Sequence, residues 1–123
     1  MRHTLRLSGV IIGHSDLEHA EPELGRARGA LRPGLGYDLV QPIFRMYAEA
    51  VPQGGGQRDE AKLERYYKAR DALPLELQDA QGERIATTAI HIADYRSELG
   101  RDALELDVLI KDESYWRRRH DSE

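Results

Sequence analysis

A chain of 123 residues with 40% hydrophobic and 33% charged residues fits one domain, residues 1–123, with a core of its own. It has no cysteine, which excludes disulfides, thiolate nucleophiles and zinc–thiolate sites. The net charge of −4 makes nucleic acid an unexpected partner, and no run nears the ~20 apolar residues of a membrane-spanning helix.

The first stretch, "MRHTLRLSGVII", lacks the long apolar segment and the cleavage site of a secretory leader, so a cytoplasmic location is expected. "TLRLSGVIIG" reads as one strand. Leu5 and Leu7 alternate with Thr4 and Arg6, Gly9 marks a bend, and the "VII" run beyond it is expected to be buried on both faces. A long acidic loop then runs over residues 14–23. "GRARGAL" is a second strand, whose Ala27 and Gly29 leave room for a helix to pack closely. "RPGLG" is a turn.

"YDLVQPIFRMYAEAV" carries apolar residues at helical spacing, with Pro42 predicting the helix start. "PQGGGQ" is a flexible linker near 52–58. "RDEAKLERYYKARDAL" is the clearest helix, capped by Asp59 and stopped by Pro74. Strands follow: a hairpin turning at Asp79–Gly82, then a turn at 97–102, then "ALELDVLI" with Leu104, Leu106, Val108 and Ile110 inward. The end, 117–123, is expected to be a mobile tail. The tetrapeptide Glu-Leu-Gly-Arg occurs twice, at 23–26 and 98–101, each time between two expected strands. The resulting class is α+β, an antiparallel sheet of about five strands with two central helices packed on one face, in the order ββααβββ.

The chemistry-bearing candidates are few. His14, Asp16, Glu18 and His19 are ligand types for a hard or borderline cation, but no known metal motif spaces them. The ligand-binding candidates are therefore His14, Asp16, Glu18 and Arg28, with Arg26 and Arg28 also able to ion-pair with the acids. His91 beside Asp94 and Tyr95 is a possible general base, yet no nucleophile elbow accompanies it. "YWRRRH" puts aromatics beside arginines, a weak nucleic-acid signal. The six tyrosines favour interfaces, with Tyr66, Tyr67 and Trp116 as candidate contacts. No catalytic residue, cofactor or nucleotide-binding loop is read. The expected function is a non-enzymatic domain of regulatory or adaptor type, acting by protein association or self-association. The alternative is a small enzyme or a ligand- or metal-binding protein using the loop at 14–23.

Overall fold

Ser8 and Gly9 take positive φ, 50° and 86°, in the computed structural model, which describes residues 2–122. Two consecutive positive φ values make the tight reversal that matches the twist of paired strands. The expected single strand is therefore a hairpin: β1 (His3–Leu7) and β2 (Val10–Ser15) pair antiparallel, with Leu7 opposite Val10. The bulge lies further along, because Leu5 faces Gly13 while Arg6 faces Ile11. The extra residue, Ile12, turns into the core, and Val10 and Ile11 are left exposed. The "VII" run is thus not buried throughout.

The acidic loop is also largely absent. β2 continues through His14 and Ser15, and the chain turns a corner at residues 16–18. β3 (His19–Glu21) follows, then a 3-10 turn at Pro22–Leu24. Leu17 turns the corner at φ 45° with its side chain fully buried. β4 (Arg26–Ala30) and β5 (Arg32–Pro33) form one run broken at Leu31. A Cβ on Gly29 would stand 2.8 Å from Leu17 Cα and 2.6 Å from Glu18 Oε1. The small residue there admits the corner of the chain, not a helix.

A 3-10 segment, Leu35–Leu39, leads into α1 (Gln41–Ala50), with Pro42 in its first turn as expected. Residues 52–58 form no regular element. α2 (Glu60–Asp71) starts on Asp59, whose carboxylate accepts from Lys62 N at 3.0 Å. β6 (Leu75–Gln78) and β7 (Arg84–Ile85) make the second hairpin. Asp79 Oδ1 accepts from the amides of Gln81 and Glu83, each at 2.9 Å, and fixes that turn. β8 (Thr87–Asp94), α3 (Arg96–Leu99), β9 (Leu104–Ile110) and α4 (Glu113–Ser122) complete the order. A bulge between Thr87 and Ala89 puts Thr88 in solvent, although Ile90 and Ile92 point inward.

The class is α+β, but the single five-stranded sheet becomes two antiparallel sheets. The first runs β5-β2-β1-β6-β7 and the second β3-β4-β9-β8. The chain changes sheet at 16–18, at Leu31 and at Ala86, so the strands wrap over one core. Leu5, Ile12, Leu77 and Ile85 enter it from one side, and Ala27, Ile90, Ile92, Leu106 and Val108 from the other. The two central helices lie together as expected, both packed on the outer face of the second sheet at β8. α1 and α2 pack on each other, and α1 packs along β8, contributing Phe44 and Tyr66 to the core. The expected tail is helix α4, anchored by buried Tyr115 and by Arg119, which donates to Leu17 O at 2.7 Å; Glu123 lies outside the described residues.

Both sheets have a two-fold pattern. In the first, β1 and β6 are neighbours, flanked by their own hairpin partners β2 and β7. In the second, β4 and β9 are neighbours, flanked by β3 and β8. Each half therefore runs as a strand, a hairpin, a strand pair crossing between sheets, a turn, a strand and a helix. The repeated Glu-Leu-Gly-Arg sits at the same station in each half. Each copy ends a helical turn on a glycine of positive φ, Gly25 at 64° and Gly100 at 101°. Each closing helix reaches across to the other half: Arg45 of α1 donates to Asp94 O, and Arg119 of α4 to Leu17 O, both at 2.7 Å. α2, joined by the glycine linker, has no counterpart among the described residues of the first half. No helix among the described residues is long and apolar enough to cross a membrane.

Candidate functional site

The four expected ligand-binding residues do not converge. Each is held by a different neighbour. Arg2 donates to His14 Nε2 at 2.8 Å, and His14 Nδ1 lies 3.2 Å from Thr4 Oγ1. Burial, with Arg2, Arg32 and Arg6 nearby, pushes the His14 pKa down. Such cationic surroundings oppose a metal ion there. Asp16 pairs with Arg32 at 3.4 Å. Glu18 accepts from the Ala30 amide at 3.2 Å. Arg28 lies 3.8 Å from Glu21 and 4.0 Å from Glu105. Among the described residues no three His, Asp or Glu side chains gather to hold a metal ion.

His91, Asp94 and Tyr95 also separate. Asp94 points to the interior, where Tyr37 and Arg96 bind it, and the Tyr95 hydroxyl donates to Val51 O at 2.7 Å. The terminal "YWRRRH" folds back on the domain: Tyr115 Oη stands 3.1 Å from His3 Nε2, and Arg119 donates to Tyr115 Oη at 2.9 Å. Of the expected interface residues, Tyr66 is fully buried and cannot meet a partner directly. Tyr67 is 41% exposed. Trp116 is half-buried, its Nε1 donating to Ile110 O at 3.0 Å.

A different set does converge. The outer face of the second sheet and the helix pair enclose a cleft of about 210 Å³. His91, Asp107 and Leu109 come from β8 and β9, Tyr47 from α1, and Tyr67 and Arg70 from α2. His91 and Asp107 are cross-strand partners, so strand alternation alone aims both outward. Arg26 stands over Asp107 and grips both carboxylate oxygens, Nε at 3.0 Å and Nη2 at 2.6 Å. The Tyr66 hydroxyl is hydrogen-bonded to His91 Nδ1. Tyr47 closes on the same imidazole, with ring centroids 4.3 Å apart. Arg70 lies over Tyr66 and Tyr67, 5.6 and 5.0 Å from their centroids.

These contacts set the protonation of the cleft. Burial pushes the His91 pKa down to about 4; Asp107 opposes that shift and Arg70 and Arg26 add to it. Burial also pushes the Tyr66 hydroxyl up, so it stays protonated. A histidine in the unfolded chain titrates near 6.5. Between about pH 6.5 and pH 4 the unfolded chain therefore holds a proton that the folded chain lacks. Stability from neutral His91 is complete above that window, falls as pH drops through it, and is level below it. The gap corresponds to roughly 3 kcal/mol. Urea melts of wild type and His91→Gln at pH 7 and pH 4.5 are expected to show a smaller acid loss in the variant. Equal losses would assign the effect to other groups.

The cleft was hidden because its residues come from five elements, β4, α1, α2, β8 and β9, with no local motif. The signals available were the adjacent tyrosines on α2 and the histidine set between Ile90 and Ile92. Comparison with family models, curated proteins and solved structures finds no match.

Proposed function

We propose that the chain is a non-enzymatic binding module that associates with a second copy of itself. The observation that carries this reading is a set of exposed aliphatic side chains at the hairpin end of the first sheet. Val10 and Ile11, pushed outward by the bulge, are exposed on β2, which packs against the 3-10 segment carrying the fully exposed Leu35 and the exposed Leu39. The patch is built by close approach: a Cβ on Gly36 would stand 2.6 Å from Val10 Cγ1, and one on Gly34 would stand 3.3 Å from Ile11 Cγ2. Large aliphatic side chains gathered in water favour burial against a partner. An aliphatic patch complements an identical patch across a two-fold axis, the commonest oligomer geometry. The separation of His14, Asp16, Glu18 and Arg28 into four unrelated contacts supports the same reading over an enzyme built on that loop.

Size-exclusion chromatography with light scattering at about 100 µM chain tests this, since micromolar affinities register there. Wild type is expected at twice its 14.0 kDa mass and Leu35→Asp at the single mass. The thermal melt of dilute Leu35→Asp should match that of dilute wild type, because this side chain touches little of its own domain. A wild type that stays monomeric overturns the reading.

A further inference from the structure

We propose that the cleft over His91 binds a small carboxylate bearing one aromatic ring, a property separate from self-association. Arg70, beside Tyr66, has only donors to offer the Tyr66 hydroxyl. The hydroxyl proton is then directed to His91 Nδ1. A neutral imidazole that accepts at Nδ1 carries its proton on Nε2. With Nδ1 taken by Tyr66, that N–H is what the imidazole has left to give the cleft. The one carboxylate in the lining, Asp107, has both oxygens taken by Arg26. What faces an incoming molecule is thus an imidazole N–H and the guanidinium of Arg70, which donates to Asp71 Oδ1 from Nε at 3.2 Å and Nη2 at 3.1 Å and has further N–H donors beyond those two bonds. Such a donor set takes a carboxylate.

The rest of the cleft is apolar. Tyr47, Tyr67 and Leu109 give ring and aliphatic surface. At about 210 Å³ the space is smaller than the ~300–1,000 Å³ of drug-sized sites, which suits a single ring. α2, the element that breaks the two-fold pattern, supplies Tyr67 and Arg70. The cleft is therefore present in one half only.

The test is NMR titration of the whole chain with sodium benzoate, with benzamide as the uncharged isostere. Benzoate is expected to give saturable shifts in the His91, Tyr47 and Tyr67 ring signals below about 10 mM, and benzamide to bind at least tenfold more weakly. Arg70→Gln should weaken benzoate at least tenfold, while Arg84→Gln, remote from the cleft, should leave it unchanged. Far-UV circular dichroism establishes that each variant is folded, and the benzamide comparison tests the proposal on wild type alone. Absence of saturable shifts with benzoate, equal affinity for benzamide, or an Arg70→Gln protein that binds like wild type would each overturn the proposal. A monomeric wild type would leave it standing, so its failure is distinguishable from failure of the self-association reading.

Discussion

Asp94→Ala is expected to destabilise the fold by about 3–5 kcal/mol, the cost of breaking a buried charge pair from one side. The Asp94 side chain is 1% exposed. It accepts from the Tyr37 hydroxyl at 2.7 Å, from Arg96 Nε and Nη2 at 3.0 and 2.9 Å, and from the Arg96 amide at 3.2 Å. Removing it strands a buried phenol and a guanidinium together. Asp94→Asn keeps the shape and part of the accepting capacity, so about 1–3 kcal/mol is expected for it. Burial pushes the Asp94 carboxyl up, but the bonds from Arg96 and Tyr37 outweigh that and hold it below the usual carboxylate range. Its stabilisation is therefore present above the unfolded carboxyl pKa of ~3.9 and is lost as pH falls below that. Urea melts at pH 7 measure both variants. A loss under about 1 kcal/mol for Asp94→Ala would show that water replaces the carboxylate at no great cost.

Asp94 also shows what the sequence made legible and what it did not. Its place on a strand followed from the alternation of Ile90 and Ile92. Its partner Tyr37 lies upstream of the helix start read at Pro42, and nothing local links the two. The same division holds across the fold. Features governed by a few adjacent residues were readable: the Asp59 cap, the Pro42 helix start, the Asp79–Gly82 turn and the alternation in "ALELDVLI". Features governed by long-range closure were not. The strand patterns do not record that the chain changes sheet at 16–18 and at Ala86, because a bent strand and a straight one alternate alike. The acidic loop looked like a site because its residue types suit one. In the fold its side chains satisfy a corner: Asp16 meets Arg32, and Glu18 receives the Ala30 amide. The cleft over His91 was illegible for the converse reason, since His91 and Asp107 become neighbours only through strand register.

Cutting the chain between Gly54 and Gly55 is expected to give two fragments that are unfolded apart and fold when mixed. The two-fold pattern requires it. Neither half owns a complete sheet: β1 needs β6 beside it, and β4 needs β9. In the first sheet, Leu5 faces Leu77 across the junction, and both are buried. In the second, Ala27 faces Val108 and Gly29 faces Leu106. Residues 1–54 alone would expose Leu5, Ile12 and Ala27 to water, and residues 55–123 alone would expose Leu77, Ile92 and Val108. The cut itself removes little, because both glycines lie in an exposed linker and take positive φ, 85° and 96°. What it removes is tethering, and a short flexible linker supplies an effective concentration of about 1 mM. If the intact fold is stable by ~5–8 kcal/mol, the fragments should reassemble with a dissociation constant between micromolar and nanomolar. Circular dichroism of each fragment and of the equimolar mixture reads this directly. A native-like spectrum from either fragment alone would mean that one half closes its own core. No recovery on mixing would mean that the halves find each other only while tethered, so that the linker is part of the folding path as well as the boundary between two repeats.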